Sequence, residues 1–358
     1  MKKIFFLVGI LAVLLLTACG GKTESKGESS ENNKSKELNI YTWTYFVPEE
    51  LVDKFQKETG IKINFSYYDN NDVMMAKPMS GAKGFDIISP STDYVDVLIK
   101  NGLIEKLDKT KLGETFNNLD KDNLKLEEYS KIYDPGLEYS IPYSYSATGI
   151  AVNKKFIKDY PQSFDIFALE QYKGKMTMLD DGREVIGATL QYLGYPSDSA
   201  DDKQLEEAKN KILEWKKNLA KFDATSFGKS IATGEFYAVH GYAENIYGEL
   251  EESDYGNFDY FVPKGAMMYI DSMAIVKNGP NRENAYKFLE FLYRPENFIK
   301  VYEFFKTTSV IKGVEEKSSV KAIVKTSQVV ENGKLPGALS DEAKEKHDKI
   351  WNEIKLSN

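Results

Sequence analysis

Met176-Thr177-Met178-Leu179-Asp180-Asp181-Gly182-Arg183-Glu184-Val185-Ile186 passes from an apolar run through an acidic turn into a helical pattern. The Met- and Leu-rich start reads as a strand. It stops at Asp180-Asp181-Gly182, after which Val185, Ile186, Leu190 and Leu193 recur at helical spacing. Asp181 and Glu184 therefore fall at a strand-to-helix turn, on the carboxyl end of a strand. Open α/β sheets bind ligands there, and two acids at such a turn attract a cation. The same residues fit a capping box, in which an N-cap Asp accepts from a backbone N–H and a Glu three residues on reaches back. Spacing alone leaves both readings open.

The surrounding chain has 358 residues, room for about two domains. It is 42% hydrophobic and 28% charged, the balance of a globular protein, with a net charge of −8. Nucleic-acid phosphates need Lys and Arg, so an acidic chain argues against that partner. Arg183, Arg282 and Arg294 are the only arginines, which leaves few forks for a carboxylate or phosphate. Cys19 is the single cysteine, and His240 and His347 are the only histidines. That excludes an internal disulfide, a Cys/His zinc site and a Cys-His nucleophile. The sequence shows no Gly-rich phosphate loop and no Gly-x-Ser-x-Gly elbow. No enzyme activity, metal or cofactor is expected.

Upstream, Lys2-Lys3 precedes the apolar stretch Ile4–Leu16, the pattern of a secretory signal. Thirteen apolar residues fall short of the ~20 needed to span a bilayer. Leu16-Thr17-Ala18-Cys19-Gly20 resembles a bacterial lipobox, which implies cleavage after residue 18 and lipid on Cys19. Several acyl chains on one residue anchor a protein firmly. Residues 20–36 are rich in Gly, Ser, Lys, Glu and Asn, and read as a flexible tether.

The body opens on a β-α-β unit. Leu38–Tyr41 alternates as a strand, and Pro48-Glu49-Glu50 suits the first turn of a helix that Gly60 ends. Ile61, Ile63, Phe65 and Tyr67 then alternate as a second strand. Trp43 falls between strand and helix, where its ring would either pack the loop or face a cation. Gly84–Asp93 reads as a strand entering a polar turn, and Ser91 and Asp93 there either cap the next helix or serve a ligand. Leu107–Tyr133 reads as irregular, and Ser199–Phe222 as one long charged helix. His240 reads as a packed residue. Asp271 sits inside the apolar run Gly265–Val276, and a carboxylate so placed must be paired or functional.

Four motifs keep their order along the body: Tyr-Thr-Trp-Thr-Tyr-Phe-Val-Pro, Phe-Asp-Ile-Ile-Ser-Pro-Ser-Thr-Asp-Tyr-Val, Asp-Asp-Gly-Arg-Glu-Val and Asp-Ser-Met-Ala-Ile. Together they resemble the spermidine/putrescine-binding proteins of polyamine ABC transporters. The resemblance implies an α/β, two-lobed periplasmic-binding-protein fold (type II) with hinge crossings and the ligand in the interlobe cleft. Lobe 1 would hold residues 37–141 and 270–316, and lobe 2 residues 142–269 and 317–358. The implied partners are a polyamine, an ABC permease and a membrane reached through the lipid, with the protein acting as a monomer.

On that resemblance Trp43 matches an aromatic wall and Ser91 a strand-end turn. Asp181, Glu184 and Asp271 match the acids that grip amines. Phe46 stands where the family has Tyr, Asp93 where the spermidine binder has an aromatic residue, and Tyr242 and Tyr269 where the family often has Trp. Near Thr307 the family's Tyr is missing. Glu244 lies where spermidine and putrescine binders vary, and joins the expected site as a further acid. Other readings are a binder of a basic amino acid, whose carboxylate only Arg183 is near enough to hold, and a polyamine sensor.

Overall fold

The computed structural model describes residues 35–44 and 46–357. The expected signal, lipid attachment at Cys19 and most of the tether lie outside them. Among the described residues, no helix is long and apolar enough to cross a membrane.

The strands, in chain order, are β1 (Glu37–Trp43), β2 (Lys62–Tyr68), β3 (Ile87–Ile88), β4 (Ser140–Ala147), β5 (Gly149–Asn153), β6 (Met176–Met178), β7 (Leu219–Phe222), β8 (Ala238–Gly241), β9 (Phe258–Phe261), β10 (Ala266–Ile275) and β11 (Gly333–Lys334). They form two sheets. The first runs β11-β10-β3-β1-β2, with β4 also paired to β10. The second runs β7-β6-β8-β5-β9. β1 is parallel to β2 and β3, whereas β10 is antiparallel to β3 and β4.

The opening β-α-β unit forms as its residues dictate. Pro48 precedes the helix Glu49–Thr59, whose first turn carries Glu49 and Glu50 against the positive end of the helix dipole. Leu51 and Phe55 are buried, and Gly60 closes the helix at φ 68°, a left-handed conformation that costs glycine little. β2 then returns in register beside β1, Glu37 opposite Lys62 through Trp43 opposite Tyr68.

Two segments differ from their sequence reading. Within Leu107–Tyr133, Leu126–Tyr133 is helical, with Leu126, Tyr129, Ser130 and Tyr133 buried. These positions have helical spacing, but the preceding Lys, Asp and Asn residues mask it. Within Ser199–Phe222, the helix Asp202–Lys216 stops early and Leu219–Phe222 is β7, parallel to β6. Asn218 makes the break: its side chain donates to Phe167 O at 3.1 Å, and its carbonyl accepts from Gly174 N at 2.8 Å. Leu205, Ala208, Ile212 and Trp215 are buried as the spacing requires.

β4 and β10 run side by side from Ala147 opposite Met268 to Ser140 opposite Ala274. Their register slips between Asp271 and Ser272, a bulge that re-aims the side chains around it. Thr148 separates β4 in the first sheet from β5 in the second. The final helix, Asp341–Leu356, is capped by Ser340 and docks through buried Ile354, with Trp351 edge-on to Phe222 at 4.8 Å.

Candidate functional site

Asp181 is the N-cap of the helix Gly182–Tyr192, and its Oδ1 accepts from Glu184 N at 3.0 Å. That half of the capping box forms. Glu184 is occupied elsewhere: only 1% exposed, it accepts from the Thr148 hydroxyl at Oε1 and from the Tyr269 hydroxyl at Oε2 (2.5 Å). Thr148 comes from the passage between the sheets and Tyr269 from β10, so Glu184 ties the helix to both. Burial pushes its carboxyl up to about 8; the two hydroxyl donors oppose this, and neighbouring Asp181 adds to it.

Gly182 permits this helix to pack. A Cβ there would lie 2.6 Å from Cγ of Trp351, so the last helix rests on the turn that carries Asp181 and Glu184.

Asp271 sits at the bulge of β10 and forms an isolated antiparallel bridge with Ser91. The Ser91 hydroxyl donates to Asp271 Oδ1 at 2.6 Å, and the Ser144 hydroxyl to Oδ2 at 3.2 Å. Ser91 is the N-cap residue of the helix Thr92–Lys100, yet its side chain makes no capping bond. Asn71 donates to the Ser91 hydroxyl at 3.1 Å and keeps it oriented. Desolvation raises the Asp271 carboxyl to about 6, against the two serines, and Asp93 adds repulsion.

Trp43 ends β1. Its Nε1 donates to Ser89 O at 3.0 Å, and its ring meets Tyr68 edge-on at 4.7 Å. The Tyr68 hydroxyl also donates to Ser89 O, and burial together with nearby Asp271 holds the Tyr68 phenol above its ordinary range. Tyr68, with Trp43 packed edge-on against it, thus stands near Asp271. Phe46 lies deeper, 8% exposed, with Tyr143 at 4.7 Å and Phe305 at 6.2 Å.

Tyr242 precedes the short helix Ala243–Tyr247, half-buried, and stands among the acids. Its phenol is raised first by burial and then by Glu184, Asp181, Glu244 and Asp271. Glu244 is exposed and Asp271 half-buried, yet desolvation by the surrounding protein raises both carboxyls. Among the described residues, no lysine or arginine forms an ion pair with Glu184, Glu244 or Asp271. Asp93 differs: its Oδ2 lies 3.4 Å from Nη2 of Arg183.

Sequence reasoning missed Thr148, Ser144, Asn71 and Tyr68. Each is a common polar or aromatic residue, and none carries a local signal, because its partner lies far away in sequence. Thr148 and Glu184 are 36 positions apart, and Ser144 and Asp271 127. His240 is fully buried and edge-on to Phe164 at 5.6 Å, and burial lowers its imidazole to about 3, as suits a packed residue. Among the described residues no group of His, Cys, Asp and Glu is arranged to hold a metal ion.

Comparison with known proteins places this chain among binding proteins. Residues 50–328 match the bacterial extracellular solute-binding protein family. The spermidine/putrescine-binding periplasmic protein of Escherichia coli is 37% identical over 277 residues, 76% of each chain. A putrescine/cadaverine-binding protein of Pseudomonas aeruginosa is 30% identical over 285 residues, 75% of this chain and 78% of its own. The crystal structure of the TpPotD lipoprotein of Treponema pallidum superposes with a TM-score of 0.80 at 31% identity, covering 90% of this chain and 100% of the other. The architecture is that of a two-lobed type II periplasmic binding protein.

Proposed function

Because the chain belongs to the bacterial extracellular solute-binding protein family, we propose that it captures a polyamine, putrescine or spermidine, between two lobes and delivers it to an ABC permease. The observation that carries this reading is the set of carboxylates around the Tyr242 ring, of which Glu184, Glu244 and Asp271 have no ion-pair partner among the described residues. A polyamine is a string of ammonium groups on methylene spacers. It needs separated acids for its charges and aromatic faces for its spacers.

Asp181 and Glu184 receive one ammonium, and Asp271, with Ser91 beside it, receives another. Charge-assisted hydrogen bonds contribute roughly 1.5–3 kcal/mol each. Trp43, Tyr242 and Tyr269 face the methylenes and ammonium groups, each cation–π contact contributing ~0.5–2 kcal/mol. Phe46 backs this wall, and Glu244 supplies a further acid whose placement tunes ligand length. Asp93 belongs to the same acidic lining, with Arg183 against it. No bond is made or broken.

The lobe boundaries, residues 37–141 with 270–316 and residues 142–269 with 317–358, cut β4 and β10. Those strands are then the hinge on which the lobes close. The sequence of residues 1–36 supports export and lipid anchoring at Cys19, which would hold the body at the outer face of a membrane as a monomer.

The test is calorimetric titration of the compact unit Lys36–Asn358, unfolded and refolded to strip carried-over ligand. Putrescine, cadaverine, spermidine, spermine, lysine and arginine are the titrants. Submicromolar binding of one linear amine is expected; binding of lysine or arginine alone would replace the polyamine reading. Co-purification with a permease, rather than with a signalling receptor, separates transport from sensing.

A further inference from the structure

Asp93 and Arg183 come from different sheets. Asp93 lies in the first turn of the helix Thr92–Lys100, directly after β3 of the first sheet. Arg183 lies in the first turn of the helix Gly182–Tyr192, after β6 of the second. The two side chains meet at 3.4 Å, with 14% of Asp93 and 39% of Arg183 left exposed. An arginine in a first helical turn opposes the dipole of its own helix, so this position is unfavourable unless something else rewards it. The groups facing Asp93 are Arg183, Asp72, Tyr94 and Asp271, and Arg183 is the only cation among them.

A second contact of the same kind lies elsewhere. Lys306 follows the helix Pro295–Phe305, whose Phe305 ring packs on Phe46 and Tyr143 of the first sheet's body. Its ammonium bonds Glu252 and lies 5.4 Å from the ring of Tyr255. Tyr255 packs on Tyr247, which in turn packs on Tyr260 of β9 in the second sheet.

We propose that Asp93 and Arg183 form a latch between the lobes: an ion pair made on closure that holds the cleft shut and withdraws Asp93 from amine recognition. The Lys306–Glu252 pair supports closure from a separate place. This inference rests on the polyamine reading of the cleft. It assigns amine recognition to the acids without an ion-pair partner, while Asp93 sets how firmly the closed form is held.

Arg183→Gln separates the latch from the alternative in which Asp93 binds an amine. Removing a latch weakens ligand binding, whereas freeing a ligand acid from its arginine tightens it. Calorimetry with putrescine and spermidine on wild type, Arg183→Gln, Asp93→Asn, their double variant and the charge swap Asp93→Arg with Arg183→Asp reads this out. Each single variant is expected to lose about two- to fivefold in affinity, the range of a partly exposed ion pair. The double variant should lose no more than either single one, and the swap should recover most of the loss. Small-angle scattering should show the double variant more expanded than wild type without ligand. Unchanged or tighter binding by Arg183→Gln would overturn the latch. If wild type binds neither amine, the polyamine reading fails, and the scattering comparison still decides whether the pair holds the lobes together.

Discussion

The Ser91 hydroxyl donates to Asp271 Oδ1 at 2.6 Å across an isolated antiparallel bridge, joining a helix-start turn to an interior strand. Ser91 has the position of an N-cap but gives its hydroxyl to a carboxylate. With Ser144 on the other oxygen, Asp271 is held in place by neutral donors alone. Such a group is oriented without being neutralised, which leaves its charge for a ligand.

Replacing Asp271 with Asn keeps the shape and removes the charge. If an ammonium group sits here, putrescine or spermidine affinity falls by about 2–5 kcal/mol, as when a buried charge loses its partner. Calorimetry on the two proteins checks this. A loss smaller than tenfold would remove Asp271 from the site.

Ser91→Ala should act through Asp271. The serine bond lowers the Asp271 carboxyl, so its loss leaves that group protonated to a higher pH. Affinity at neutral pH should fall, by less than the roughly 1.5–3 kcal/mol of a whole hydrogen bond to a charged group. The pH midpoint of binding should also move up. A weaker affinity with an unmoved midpoint would mean that Ser91 contacts the ligand directly instead.

Glu184 makes unliganded stability depend on pH. Its carboxyl rises from 4.5 to about 8 on folding, so between these values the folded state holds a proton that the unfolded state has released. Stability contributed by this group is therefore greatest below about pH 4.5 and is lost as pH rises through about 8. Thermal melts at pH 6 and pH 8.5 should show a decline in wild type that Glu184→Gln reduces. Ligand binding near pH 7 should release protons, seen as a binding enthalpy that varies with the buffer's heat of ionisation. An enthalpy independent of buffer would show that Glu184 is ionised before ligand arrives.

Gly182→Ala should destabilise the body. The added methyl would press into the Trp351 ring, and overpacking of this kind costs about 1–3 kcal/mol. Pairing it with Trp351→Leu should restore part of the melting temperature. No recovery in the pair would mean that the strain lies elsewhere in the turn.

Much of this protein was legible in its sequence because the information is local. Pro48, the two acids and Gly60 bound a helix by their own backbone preferences, and alternation marked β1 and β2 on either side. The boundary between Met178 and Gly182 followed from composition, as did Asp181 at the helix start. Asp271 was conspicuous because a carboxylate in an apolar strand is costly wherever the strand goes. The helix after Lys125 and the strand at Leu219 were not legible. Polar flanks masked the first, and the second needed Asn218 to find tertiary partners.

By itself, the sequence determined most of the elements and the acids at their ends, since propensity, spacing and burial cost act over a few residues. Tertiary structure alone decided what those acids do. Glu184 left its capping box for Thr148 and Tyr269, Ser91 left its helix for Asp271, and Asp93 met Arg183 90 positions away. For Glu184 and Ser91 the distant bond competes with a local capping bond of similar strength. The choice between them falls to which distant side chain the packed sheets bring within about 3 Å.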